Sequence, residues 1–306
     1  RAHDLPCGRR HDHQHLRRPE VTTTVTLTGT GVPHPSPGRA GAGVLVRCGD
    51  VALQFDAGRG TVIRLAEANV ALHELSAVFL THVHSDHVVD LADVAMTRWI
   101  QQTMHPSGPL TIVCPTGWPE RFARRMLEPF EDDIEVRMHH VQETPPKVDI
   151  RSFDAPTKPT VVWASADGSV RVTAMAVHHE PVRDAVAYRV DTPDGAVVIS
   201  GDTRVCTEVE EFSRGAAILV HEACRTRAMQ SAVVGTAFEK IFDYHSDSVA
   251  LGEMAKRSGV PHLVLTHLIP QPRSERDIEA FARDVREGGY LGEVSVGRDL
   301  DTFVIG

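Results

Sequence analysis

Residues 77–90 read Ala-Val-Phe-Leu-Thr-His-Val-His-Ser-Asp-His-Val-Val-Asp, and no other stretch constrains the chain as strongly. The apolar run at 77–80 predicts a buried strand that delivers His82, His84, Asp86 and His87 into the turn after it. On a strand end, positions two apart share a face, so His82 and His84 can address one ion. Asp86 and His87 fall where the chain bends into a helix marked by Val88, Leu91, Val94 and Ala95, and can turn toward a second ion. A lone loop histidine is usually solvated, but three with an aspartate within six residues, straight after a buried strand, point to metal. Imidazole with carboxylate suits zinc, manganese or iron better than calcium.

The segment Thr81-His82-Val83-His84-Ser85-Asp86-His87 resembles the signature of the metallo-β-lactamase fold superfamily. His178-His179-Glu180-Pro181-Val182, Ser200-Gly201-Asp202-Thr203 and Leu265-Thr266-His267-Leu268 resemble its later ligand motifs, each after a plausible strand. The match runs from about residue 25 to residue 267. It implies an α/β fold, a four-layered αβ/βα sandwich of two mixed β-sheets flanked by helices, occupying residues 21–306 as one domain. It also implies one ion held by His82, His84 and His179 and another by Asp86, His87 and His267, with Asp202 bridging. Of the two adjacent histidines, His179 is favoured because Pro181-Val182 and Tyr188-Arg189 follow it in the family pattern, and His178 then points to the other face. Two cations roughly 3.5–4 Å apart share a water, lower its pKa and hold it for in-line attack, with Asp86 placed to orient the bridging hydroxide or take its proton. No organic cofactor is implied.

Position 84 is His where diiron oxygen-reducing relatives place Glu, and Asp202 stands where many true β-lactamases place Cys. Both departures narrow the class, and a bridging carboxylate favours hydrolysis of charged esters over lactam opening. Leu219-Val220-His221-Glu222-Ala223-Cys224 resembles the His-Glu-Ala-Thr segment of the ribonuclease Z branch, with Cys224 replacing its Thr, and Tyr244-His245-Ser246 resembles that branch's later catalytic histidine. The resemblance implies that Glu222 orients His245, which donates a proton to the leaving oxygen; for Glu222 the plainer alternative is a salt-bridging strand-end acid. Only 22 residues separate His179 from Asp202, filled by two strands and a turn, so the long arm with which bacterial ribonuclease Z grips transfer RNA is absent there. The first expectation is therefore a two-metal hydrolase of a small anionic ester, phosphodiester or sulfate ester, phosphodiesterase- or arylsulfatase-like. The alternative is a ribonuclease Z-like RNA 3′-end endonuclease. A non-catalytic binding protein on the same fold fits less well, because degenerate members usually lose ligands and all seven are present.

The formal net charge of −9 disfavours an extended nucleic-acid surface, and hydrophobic residues at 42% with charged residues at 24% are ordinary for a soluble globular chain. Cys7, Cys48, Cys114, Cys206 and Cys224 are odd in number without a C-x-x-C pair, and read as reduced thiols of a cytoplasmic protein. No run approaches a membrane span, so no membrane partner is expected. Relatives are often dimers, which leaves a homodimer open. Residues 1–20, rich in Arg and His, read as a flexible leader.

Along the chain, strands are expected at 21–28, 44–47, 51–55, 110–114, 134–141, 161–164, 170–177, 185–190, 196–199, 217–221 and 262–266, those from 134 to 199 building the second sheet. Helices are expected at 61–69, 91–102, 119–127, 246–257 and 274–286. Trp99 is expected in the core, and Arg121, Arg124 and Arg125 on a solvated face. Gly29-Thr30-Gly31 lacks the rest of a nucleotide loop, and the Pro-rich stretch to Pro37 reads as an ordered loop near the site. Asp56 has two readings, a support for the metal-binding turn or a cap of the helix at 61–69.

Overall fold

The computed structural model describes residues 22–306. The leader at 1–20 and Cys7 lie outside the described residues. Among the described residues, fourteen strands form two seven-stranded mixed sheets. The first contains β1 (Thr23–Gly29), β2 (Gly43–Cys48), β3 (Val51–Phe55), β4 (Leu75–Phe79), β5 (Leu110–Pro115) and β6 (Val148–Phe153). The second contains β7 (Thr160–Ala164), β8 (Arg171–Ala176), β9 (Val186–Thr192), β10 (Gly195–Ile199), β11 (Ile218–Cys224), β12 (His262–Ile269) and β13 (Glu293–Val296). The last strand, β14 (Thr302–Ile305), crosses back to pair antiparallel with β1 and so ties the end of the chain to the first sheet. In each sheet the central strands turn from antiparallel to parallel pairing, at β3/β4 in the first and at β10/β11 in the second.

The strands are apolar on both faces because both faces are covered. In β4, Ala77 and Phe79 enter the core between the sheets, whereas Leu75 and Val78 pack outward. The outward face of the first sheet is covered by α1 (Thr61–Glu67), α3 (Leu91–Gln101) and α4 (Trp118–Arg125), with the one-turn α2 (Ser85–Val88) inside the turn that carries His82 to His87. In β11, Ile218 and Val220 face inward, and Leu219 and Ala223 pack under α6 (Thr207–Phe212), α8 (Ser248–Ser258) and α9 (Glu275–Glu287). This alternation builds four layers. Between the sheets Phe55 and Phe79 stack 4.7 Å apart with Tyr188 tilted against both. Removing one such ring would cost about 3–5 kcal/mol, the usual figure for a large aromatic in a close-packed core.

One expectation is overturned. Residues 134–141 are not a strand of the second sheet but belong largely to the helix α5 (Glu131–His140). Ile134, Val136 and Met138 alternate with charged residues and mimic a period of two. The acidic first turn (Glu131, Asp132, Asp133) and the basic last turn (Arg137, His139, His140) instead match a helix dipole, and Arg137 pairs with Asp133 one turn back. No residue of α5 is buried, so no tertiary contact overrules that preference. The edge strands β6, β13 and β14 and the helices α6 and α7 (Thr226–Val233) were not anticipated; each is short, and the edge strands have mixed burial. Trp99 is core as expected, its indole N–H donating to the Thr144 carbonyl (2.7 Å). Arg124 and Arg125 are exposed and pair with Glu120 and Glu128 on their own surface.

Candidate metal centre

The strand β4 runs into its turn under restraint from both sheets. The Tyr188 hydroxyl of the second sheet donates to the Leu80 carbonyl (2.7 Å), and the Val186 amide donates to the Thr81 carbonyl (3.0 Å). Asp56, at the end of β3, accepts from the Thr81 amide and hydroxyl (both 2.8 Å) and from His87 Nδ1 (2.7 Å). Of its two readings, support of the turn is what the structure has: the N-cap of α1 is Gly60. Asp56 holds a left-handed backbone (φ 57°), as does His267 (φ 43°), and strained backbone at a site persists where its surroundings over-determine it. Gly58 lies so close under the turn that a Cβ there would stand 2.1 Å from the Asp86 carbonyl oxygen.

The seven predicted side chains converge. His82, His84, His179 and Asp202 form one group of potential ligands and Asp86, His87 and His267 a second, the ligand atoms of each group lying within 4.8 Å of one another. Asp202 Oδ2 sits between them, 3.8 Å from His82 Nε2, 3.8 Å from His179 Nε2, 3.3 Å from His87 Nε2 and 3.4 Å from His267 Nε2. His267 Nε2 is also 3.2 Å from Asp86 Oδ2. His84 Nδ1 and His179 Nε2 are 3.1 Å apart, two ring nitrogens aimed at the same space. His178, by contrast, points away and pairs with Glu208 (3.1 Å).

Three of the imidazoles have their far nitrogen occupied. His82 Nδ1 meets the Thr81 hydroxyl (3.0 Å), His87 Nδ1 donates to Asp56, and His179 Nδ1 donates to the Tyr244 carbonyl (3.1 Å). Each bond engages Nδ1 and leaves Nε2 as the atom that faces the cluster, the arrangement that a ligating histidine needs. His82 Nε2, His87 Nε2 and Asp202 Oδ1 are buried with no hydrogen-bond partner among the described residues. Leaving such groups unsatisfied is costly, and cations are what would satisfy an imidazole lone pair and a carboxylate together, so the donor set fits two borderline divalent ions. Thr81, Tyr244 and Tyr188 were not anticipated as supports. Thr81 adjoins the candidate ligand His82 and Tyr244 adjoins His245, but nothing in the sequence specifies whether backbone or side chain does the work.

Electrostatics follow the same lines. Burial, reinforced by neighbouring imidazoles, holds His82 well below the ordinary imidazole range, and burial likewise lowers His84 and His179, so these rings are neutral. Burial opposes charge on His87 as well, but Asp202, Asp56 and Asp86 outweigh it and raise that ring. Burial would raise Asp202, yet His267, His87 and His82 draw it well below the carboxylate range; Asp86 is lowered by His87 and His267 against its burial. Both carboxylates are thus held as anions.

Beside this cluster His245 Nδ1 meets Glu222 Oε1 at 2.8 Å, and the same carboxylate oxygen accepts from the Thr203 amide (3.1 Å) next to Asp202. The His245 ring stacks on His267 (centroids 5.5 Å apart, 19°). Burial works against its charge, but Glu222 prevails and carries it up to about 9. A cavity of about 910 Å³ opens over the site; His84, Asp86, Asp202, His245 and His267 line it, together with largely apolar walls.

A β-lactamase superfamily domain model matches residues 53–268. A protein named Ribonuclease Z from Mycolicibacterium gilvum (strain PYR-GCK) is 37% identical over 266 residues, covering 86% of this chain and 89% of the relative. A second Ribonuclease Z, from Mycobacterium sp. (strain KMS), is 39% identical over 267 residues, covering 84% and 90%. Among solved structures, the metallo-β-lactamase fold protein YhfI from Bacillus subtilis (TM-score 0.66, 22% identity) and the short form of human tRNase Z (TM-score 0.66, 21% identity) each match 92% of this chain and 99% of their own. At such identities the structures bear on the fold alone. The α/β sandwich, the domain model and the extent of the sequence matches together identify the chain as a member of the metallo-β-lactamase fold superfamily, in its ribonuclease Z-like branch.

Proposed function

We propose that this chain is a metal-dependent RNA endonuclease of the ribonuclease Z kind, acting at RNA 3′ ends. The observation that carries this reading is the match to proteins named Ribonuclease Z: an alignment over 266 residues covers 86% of this chain and 89% of the relative, which leaves that relative little room for a long inserted arm either. The missing arm, which made a small anionic ester the first expectation from sequence, therefore does not separate this chain from its relatives. Phosphodiester hydrolysis in RNA takes precedence over small phosphate or sulfate esters, and no finding supports an arylsulfatase specificity.

In this reading His82, His84 and His179 would hold one divalent ion and Asp86, His87 and His267 the other, with Asp202 placed to serve either group; zinc suits the donors, and manganese or iron would also be accepted. When bound, the ions supply positive charge that offsets the charge building on the phosphate and makes water acidic enough to attack near neutral pH. Asp86, held as an anion at the cavity floor, orients the attacking water and accepts its proton. Glu222 occupies Nδ1 of His245, which leaves the other edge of that ring for substrate and keeps it protonated. His245 then delivers its proton to the departing ribose oxygen. Glu222 acts through His245 and not on substrate.

The test is a hydrolysis panel on the zinc- and manganese-loaded protein: a precursor transfer RNA, bis-p-nitrophenyl phosphate, a cyclic nucleotide and p-nitrophenyl sulfate. The proposal expects kcat/KM for the RNA to exceed that for every small ester. Rapid turnover of one small ester with the RNA intact would reinstate the small-ester reading.

A further inference from the structure

Resting on the RNA reading, we infer that the cavity over the metal centre contains a stacking subsite for one nucleobase, walled by Phe238 and Ile241, with Arg273 holding the neighbouring phosphate. Phe238 and Ile241 lie on the 3-10 segment Ala237–Asp243, and both line the cavity that reaches His245 and His267. Pro33 and Pro35, from the separate loop after β1, line it as well. Phe238 is 63% exposed while it lines the cavity, so its ring is open to a stacking partner there. A cavity of about 910 Å³ exceeds what a single phosphate needs and is ample for a nucleotide.

Two arginines line the same cavity and differ in one respect. Arg225 is engaged by Asp284 (2.8 Å). The guanidinium of Arg273 is exposed and makes no ion pair or hydrogen bond among the described residues; only its backbone amide is used, donating to Asp277 (3.0 Å). Arg273 lies six residues after His267, in the loop that leaves β12. An unpaired guanidinium beside an apolar wall and a cluster of ligands suits a chain of alternating bases and phosphates. An aryl or alkyl ester with a single anionic group would have no use for it. Because every base has a π-face, an apolar wall gives affinity without strong preference among bases.

Titration calorimetry on the metal-loaded full chain tests this, with inorganic phosphate, uridine 5′-monophosphate and uridine 3′,5′-bisphosphate as probes. Phe238→Ala should weaken the monophosphate by about tenfold, within the range that loss of one base stack gives. It should leave inorganic phosphate unchanged, and Phe238→Trp should restore nucleotide binding. Arg273→Ala should weaken the bisphosphate more than the monophosphate. Both side chains are exposed, so neither substitution disturbs the core. Equal affinity of Phe238→Ala and the parent chain for the monophosphate would overturn the base site, and equal losses on both nucleotides in Arg273→Ala would overturn the phosphate site. Nucleotide binding on this wall by a chain that leaves precursor transfer RNA intact would keep the subsite and overturn the RNA reading instead.

Discussion

Glu222 Oε1 lies 2.8 Å from Nδ1 of His245, and both residues are almost wholly buried, so the imidazole beside the candidate metal centre is oriented by a carboxylate that does not itself line the cavity. His245→Ala is expected to keep both metals and to lower kcat by about 10²–10⁴-fold, most for poor leaving groups, as loss of a general acid does. Activity on esters of graded leaving-group pKa checks this; an equal loss across the series would remove His245 as the acid.

The same pair sets a pH dependence. A proton donor works below its pKa and fails above it. Glu222 raises His245 from 6.5 to about 9, and bound cations nearby would draw it partly back, so the basic limb of kcat should fall between those values. Glu222→Gln removes the charge that raises it and should shift that limb to lower pH. A limb that stays in place in this variant would contradict the role of Glu222.

Asp202 touches both halves of the cluster, whereas the Asp56 carboxylate bonds His87 and Thr81 and none of the other candidate ligands. Asp202→Ala should therefore lower metal content to one ion or none and abolish hydrolysis. Asp56→Asn should keep the stoichiometry but weaken metal affinity by about 10–100-fold, the usual effect of removing a partner that orients a ligand. Metal analysis after dialysis against graded chelator distinguishes the two; full occupancy in Asp202→Ala would sink the bridging assignment.

Gly201, just before Asp202, has φ +59°, and a Cβ added there would come within 2.9 Å of Thr81 Cβ. Gly201→Ala combines a strained left-handed backbone with a clash against the metal-binding turn, and about 1–3 kcal/mol of destabilisation is expected. Thermal unfolding with and without added zinc checks it. An unchanged melting temperature would mean that the turn yields more easily than its packing indicates.

How much of this was legible in the sequence depended on range. The candidate metal-binding turn declares itself because His82, His84, Asp86 and His87 lie within six residues after an apolar strand, and the other candidate ligands follow strands whose doubly buried faces give continuous apolar runs. His178 and His179 could be told apart by the residues after them, and the structure brings His179 into the cluster while His178 meets Glu208. What holds the ligands was less visible, since Tyr188 and Tyr244 reach the site through a hydroxyl and a backbone carbonyl across long sequence separations. The strand expected at residues 134–141 failed because an exposed helix with alternating apolar residues carries no buried stripe from which its period can be read. The substrate expectation leaned on the missing arm, whereas relatives matched over 89% and 90% of their own length bear the name Ribonuclease Z, which favours the alternative over the small ester.

The most direct test of the central claim is incubation of the zinc- or manganese-loaded chain with a precursor transfer RNA carrying a 3′ trailer, and mapping of the cut. The account predicts one cut at the 3′ side of the transfer RNA body, lost in Asp202→Ala and on chelation and restored in the parent chain by metal. An RNA left whole by a protein that is fully metal-loaded and active on a small ester would contradict it.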